Sequence, residues 1–450
     1  MLLNEAVDHY HSLLTDQVAV EMDGMMREIF RRRSLYFGNR PICTVLRPHF
    51  YLKDHWEYLS RETAVLLEAF QRAHDACMEN NELRAQLKLE SYEEALFSLD
   101  RGGVVPWTTS RLDSFFSVDK QSLHYVEYNA ETPAGMGYED VLAQTFLEMP
   151  VMKRFQERYH VRHMPLLEEL LNALLWGYRQ WGGNHTPQMA IVDWQNVPTL
   201  NEQEMIRQFF ERKGVRTILA DPRALEYRNG ALWFGGFRVD MIYKRVLWSE
   251  MVRVMGIDNP ITRAIRDRAI YMTNSVSCKL MAKKASFAFL SDERNAHLFT
   301  DAQRRAIADH IPWTRVASDR KTQYAGQEID LLAFISAHRE RFVLKPNDEY
   351  GGKGVVIGWE CSDEEWSNAL RESLTTPHVV QERVDSVRRP FPAWIDGKVI
   401  ISDRFVDADP YVFCGSKVHG CLTRLSSETL LNVTAGGGSV VPSFVIEKKH

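Results

Sequence analysis

The pattern of apolar and polar positions changes character about a hundred residues into the chain. Before that point, Trp56, Leu59, Thr63, Leu66, Phe70, Ala73 and Cys77 recur at alternating three- and four-residue steps, which draws one stripe along a helix. A second run, from Glu82 to about Leu99, is rich in Leu, Ala and Glu and predicts another helix. Together they predict a helical layer over residues 1–100. The texture shifts at Arg101-Gly102-Gly103. Leu123 to Asn129 has strand propensity and runs into the turn-rich Thr132-Pro133-Ala134-Gly135. Met189–Val192, Glu202–Lys213 and Val215–Leu219 read as strand, helix and strand, a βαβ unit with parallel pairing. Further strands are predicted over Val239–Tyr243, 341–345, 354–358, Val379–Val384 and Lys398–Phe405. The acids Asp363-Glu364-Glu365 after Ser362 mark a helix start, where negative charge suits the dipole. No repeat or low-complexity tract interrupts this order.

Composition narrows the class. At about 100–200 residues per domain, 450 residues suggest several structural units. A formal charge of −5 lacks the basic face that nucleic-acid binding needs. No stretch approaches the ~18 consecutive apolar residues of a membrane helix. Acids near the start of the chain are unlike a signal peptide. The 6 cysteines are scattered without a C-x-x-C pair, which points to a reducing cytoplasm and away from disulfide scaffolds and zinc modules. The expectation is a cytoplasmic protein with no nucleic-acid or membrane partner and an oligomeric state the sequence does not set.

The densest candidate chemistry lies in Phe342-Val343-Leu344-Lys345-Pro346-Asn347-Asp348-Glu349-Tyr350-Gly351-Gly352-Lys353-Gly354-Val355. A strand ends in a lysine, and a glycine turn leads to a second strand. Glycines without Cβ atoms let backbone N–H groups approach an anion closely, and Lys345 adds a fixed positive charge. This is not a Walker A loop, because Asn347 takes its first glycine position and Gly354 its Ser/Thr position. The second feature is Arg111-Leu112-Asp113 followed by Glu127-Tyr128-Asn129. Alternation along a strand puts Glu127 and Asn129 on one face; with Asp113 on a neighbouring strand they make an oxygen set suited to Mg²⁺. Gly135-Met136-Gly137 is not a dinucleotide fingerprint, since Asp140 replaces its third glycine.

These motifs resemble the ATP-grasp superfamily, and within it the circularly permuted branch of glutathionylspermidine synthetase-like proteins. The segment from Lys345 to Gly354 is similar to the nucleotide strand and glycine-rich lid of those enzymes. Glu127-Tyr128-Asn129 is similar to their magnesium strand, which in the usual order follows the nucleotide lysines and here precedes them. The resemblance implies an α/β fold: a permuted ATP-grasp core from 101–155 and 271–450, an inserted α/β unit over 156–270 and the helical layer 1–100. It implies that Asp113, Glu127 and Asn129 hold magnesium, as two ions. It also implies that Lys284, Lys345, Gly351, Gly352, Lys353 and Gly354 position ATP, and that Gln381, Glu382 and Val384 line an adenine pocket. Arg111 and Arg424 are implied as catalytic. The glycine-rich Leu431–Gly438 resembles the closing segment of permuted members.

The implied reaction is ATP-dependent joining of a small-molecule or peptide carboxylate to an amine through an acyl phosphate. The alternatives are an ATP-grasp kinase, or a nucleotide-binding regulatory module without turnover.

Overall fold

The computed structural model describes residues 2–97, 99, 105–118, 120–428 and 438–449. The predicted stripe forms one helix, Lys53–Glu79, and Trp56, Leu59, Thr63, Leu66, Phe70, Ala73 and Cys77 all lie on its buried side. The second predicted helix is two, Asn81–Ala85 and Ser91–Phe97. Lys88 between them has φ +54°, a left-handed conformation that an α-helix cannot continue through. Arg101-Gly102-Gly103 lies outside the described residues, as does the Leu431–Gly438 run except its last glycine.

The first two strands of the site are β1 (Thr109–Ser117) and β2 (Ser122–Asn129), an antiparallel pair with Asp113 opposite Glu127 and Arg111 opposite Asn129. The predicted βαβ unit follows as β3 (Met189–Val192), a helix over Leu200–Arg212 and β4 (Thr217–Ala220). With β5 (Met241–Lys244) and β6 (Tyr271–Thr273) it makes a parallel sheet of order β6-β5-β3-β4. A smaller antiparallel sheet, order β7-β10-β8-β9, comprises β7 (Thr314–Val316), β8 (Phe342–Pro346), β9 (Val356–Ile357) and β10 (His378–Glu382). The chain then returns to the first sheet with β11 (Val387–Ile395), β12 (Lys398–Val406), β13 (Asp409–Phe413), β14 (Lys417–Ser426) and β15 (Ser439–Val441). That sheet runs β11-β12-β14-β13-β1-β2, with β15 on β14. Residues late in the chain therefore pair directly with β1, as Tyr411 does with Arg111.

The helix expected after Ser362 spans Asp363–Ser373 and opens with a capping box between Ser362 and Glu365. Two large apolar cores run through the molecule, and both draw on residues from the first hundred and from the rest. One of them packs Leu66 and Phe70 of the Lys53–Glu79 helix with Leu112, Tyr125 and Tyr128 beneath β1 and β2. All six cysteines are free thiols. Among the described residues, no helix is long and apolar enough to cross a membrane.

Candidate functional site

A cleft lies between the β1–β2 pair, the small β7–β10 sheet and the glycine turn, and its lining includes Asp113, Glu127, Lys284, Lys345, Gly351, Gly352, Lys353, Gln381, Glu382, Val384 and Arg424. These residues come from five separate stretches of sequence. Three predicted site residues do not border it: Arg111, Asn129 and Gly354.

A β-bulge aims the first wall. Pairing passes from Asp113 opposite Glu127 to Ser114 opposite Tyr125, so Val126 is the extra residue on β2. Strand alternation slips one place there: Leu123 and Tyr125 are buried, and the next buried side chain is Tyr128. Glu127 thereby turns to the cleft while Tyr128 packs on Phe70 with ring centroids 4.5 Å apart. The Val126 carbonyl, displaced from the ladder, accepts a hydrogen bond from Lys345 Nζ at 3.3 Å.

The cleft floor is cationic. Lys345 Nζ also donates to Gln381 Oε1 at 2.7 Å, and Gln381 Nε2 donates to Thr314 Oγ1 at 3.1 Å, so the amide is fixed at both ends. Burial pushes the Lys345 ammonium down to about 8; Glu127 opposes the shift and Lys284 adds to it. Lys284 Nζ sits 3.1 Å from Glu127 Oε1 and donates to the Glu349 carbonyl at 2.5 Å. Its neighbour Lys283 points the other way, into a buried pair with Glu93 at 2.8 Å.

Above the floor, Gly351, Gly352 and Gly354 have φ of +64°, +75° and +71°, a succession that L side chains disfavour. At Gly354 a Cβ would also stand 2.7 Å from Pro346 Cγ. Lys353, on the turn's outer side, pairs with Glu349 at 3.0 Å. The far wall follows β10. There the Glu382 amide donates to the Trp313 carbonyl at 2.8 Å and the Arg383 amide to the Arg341 carbonyl at 2.7 Å. Those two N–H groups are committed within the protein, and Val384 borders the cleft beyond them. The Glu382 carboxylate accepts from Tyr324 Oη at 2.5 Å.

Asp113 is the most heavily engaged acid. Its Oδ1 accepts from Arg111 Nε at 2.8 Å and from Asn129 Nδ2 at 2.9 Å, and its Oδ2 from Arg424 Nη2 at 2.7 Å. Burial pushes this carboxyl upward, but the two guanidinium groups outweigh it and hold it below the ordinary range. Arg111 stands behind Asp113, with its Nη1 on the Ala134 carbonyl at 2.8 Å, so in this arrangement it orients the carboxylate and does not face the cleft. Asn129 donates one amide hydrogen to Asp113, and its carbonyl oxygen is the atom it could offer a cation. Among the described residues, no three His, Cys, Asp or Glu side chains gather as a metal cluster. The set Asp113, Glu127 and Asn129 is all oxygen, however, and its chemistry fits a hard cation such as Mg²⁺.

The motif reading missed two aspartates. Asp407 borders the cleft, and Asp409 lies fully buried behind it. Their signal in the sequence is weak: two acids in alternation at the start of an otherwise apolar strand.

Comparison with known proteins places the architecture. The structure superimposes on a glutathione synthetase-like effector from Globodera pallida with a TM-score of 0.61, over 96% of this chain and 98% of that one, at 12% sequence identity. The fold is that of this glutathione synthetase-like protein. At such low identity the likeness speaks for the fold alone. No family model matches the chain. Two curated relatives, putative glutamate–cysteine ligases 2-2 of Frankia casuarinae and 2-3 of Frankia alni, are each 24% identical over 214 residues. The match covers 45% of this chain and 23% of each relative, so the chain spans about a quarter of their length.

Proposed function

We propose that the protein is an ATP-dependent carboxylate–amine ligase that resembles the glutathionylspermidine synthetase-like group. One observation carries the reading. Glu127 and Lys284 meet at 3.1 Å on the same floor as Lys345, whose contact on β2 lies 219 residues away in sequence. A carboxylate strand, two lysines and a glycine turn around one cleft suit a nucleoside triphosphate. Chain order supports the permuted arrangement, since β1 and β2 precede the lysine strand β8. We assign the core to 101–155 and 271–450, the inserted unit to 156–270 and the helical layer to 1–100. Free, scattered thiols support a cytoplasmic setting.

In this reading Lys345, Lys284 and the turn at Gly351–Gly354 bind the triphosphate, and Gln381, Glu382 and Val384 border the base. Asp113, Glu127 and Asn129 would hold magnesium, which would supply positive charge to offset that of the phosphates. The substrate carboxylate attacks the γ-phosphorus, the bond to the β-bridging oxygen breaks, and ADP leaves. Arg424 faces the transferring group. The amine then attacks the acyl carbon, phosphate departs, and the amine proton passes to solvent. The glycine turn covers the cleft and limits access of water to the acyl phosphate.

The test is ADP release by the purified protein with ATP, Mg²⁺ and a matrix of carboxylates and amines, followed by mass spectrometry. An amide formed only when both partners are present supports the ligase. A stable phosphorylated product in its place makes the protein a kinase, and no turnover with any pair favours a binding module.

A further inference from the structure

Arg424 reaches the cleft from β14, and its pose is set by neighbours on another segment. Asp407, 3% exposed, lies in the crossing between β12 and β13. Its Oδ1 accepts the backbone amide of Arg424 at 2.6 Å, and its Oδ2 accepts Arg424 Nε, also at 2.6 Å. One carboxylate thus holds the arginine at both ends of its side chain. Nη2 is committed as well: it donates to Asp113 Oδ2 at 2.7 Å, with Asp409 Oδ2 in an ion pair 3.1 Å away. Among the described residues, that leaves Nη1 as the guanidinium nitrogen without a protein hydrogen-bond partner. The crossing is itself pinned to β1: the Ala408 amide donates to the Ser114 carbonyl at 2.9 Å, the Ser114 hydroxyl to the Ala408 carbonyl, and the Ser114 amide to Asp409 Oδ1 at 3.1 Å. These bonds fall just past the bulge that aims Glu127, so the same few residues register the crossing against the strand pair that carries Glu127.

We propose that Asp407 is a positioning residue, which clamps Arg424 so that Nη1 faces the phosphoryl group in transfer. The inference rests on the ligase reading of the cleft. A charge-assisted bond at Nε and another at the backbone fix a long side chain before substrate arrives, so the cost of ordering it is met in folding and not in the transition state.

Asp407→Asn keeps the shape and turns one acceptor oxygen into a donor nitrogen, which cannot hold both Nε and the amide. Turnover is expected to fall about 100-fold, as small misplacements of catalytic groups do. The KM for ATP and the thermal stabilisation by Mg-ADP should stay within about twofold of wild type, because lysines and turn remain. In an Arg424→Ala background the same substitution should cost no further turnover, since the clamp has nothing left to hold. An equal loss in both backgrounds overturns the proposal, and so does full turnover in Asp407→Asn or a change confined to the KM for ATP. Should Asp407→Asn fail to fold, Asp407→Glu is read instead: it keeps the charge and displaces it by one methylene, so an intermediate loss of kcat is expected and unchanged kcat refutes the clamp. A wild-type protein that neither binds Mg-ADP nor releases ADP removes the ligase reading and this inference with it. An active wild type with an indifferent Asp407→Asn removes the inference alone.

Discussion

Two clusters of lysines and carboxylates lie on either side of the glycine turn's root, and they are built to opposite ends. Beneath the root, Lys244, Lys279 and Lys283 meet Glu93, Glu131 and Asp348. Glu131 pairs with Lys244 at 3.1 Å and Lys279 at 2.9 Å, and Asp348 with Lys279 at 2.5 Å. Three positive charges face three negative ones. Burial alone would push the Glu131 carboxyl up, but Lys244 and Lys279 draw it down to about 2. In the cleft, by contrast, Lys345 has two neutral oxygens for partners and gives up its proton more easily than an ordinary lysine. The first cluster is internally satisfied and works as a staple. In the second, Lys345 has no carboxylate among its hydrogen-bond partners, a gap that a bound anion would fill. Adjacent residues divide between the two: Lys283 belongs to the staple and Lys284 to the cleft.

The comparison breaks most visibly at Glu131. Glu131→Gln leaves Lys244 and Lys279 buried with less countercharge and weakens the acceptor of the Trp248 amide, held at 2.7 Å. Removing one partner from a buried ionic group costs about 3–5 kcal/mol. Urea unfolding should show that loss, while Mg-ADP still stabilises the folded fraction. A loss below about 1 kcal/mol would mean that water already enters the cluster.

Glu127→Gln tests the other side. It keeps the shape, removes a negative charge from the cleft, and leaves the β10 wall untouched. Nucleotide binding should survive, and turnover should drop by roughly 100-fold or more, the scale of losing one electrostatic contact to the transition state. Steady-state kinetics with unchanged kcat and a raised KM would deprive Glu127 of the role given to it here.

How much of this was legible in the sequence follows from the range of each interaction. The Trp56-to-Cys77 stripe was readable because helical periodicity is local. The break at Lys88 was not, since a single left-handed residue leaves no trace in composition. Glu127 and Asn129 could be put on one face from their spacing, but the bulge at Val126 depends on a partner strand and shows only as a missed beat between Tyr125 and Tyr128. Arg111, Asn129 and Gly354 were readable as motif members, yet whether a side chain borders a cleft or backs its neighbour is a matter of packing. Asp407 was illegible because its meaning lies in β14, reached through the sheet. The choice between Lys283 and Lys284 turned on which way one short segment faces.

Lys345→Met should separate the two clusters by sign. A lysine in a satisfied staple stabilises the fold. One held where its charge is disfavoured does not, so the ligand-free protein should unfold at an equal or higher urea concentration than wild type. Nucleotide affinity should fall by about 1.5–3 kcal/mol, the worth of a charge-assisted hydrogen bond. A variant that is both less stable and unimpaired in binding would place Lys345 with the staple after all.

The smallest effect is in pH. Lys345 titrates near 8 in the folded, ligand-free chain and near its ordinary 10.5 when unfolded. Between these values the unfolded state binds the extra proton, so this residue makes stability rise with pH through that window; below 8 both states are protonated and the contribution is flat. A bound triphosphate favours the charged ammonium and raises its pKa again. Above pH 8, binding must therefore take up a proton, and affinity should decline by up to about tenfold per pH unit until the bound-state value is reached. Calorimetry of ADP binding at pH 8.5, in two buffers of different ionisation enthalpy, reads the uptake directly as a difference in observed heat. Wild type should show a fraction of a proton taken up, and Lys345→Met should show less. Equal uptake in both proteins would assign the proton to another group and leave Lys345 no different in kind from the lysines beneath the turn.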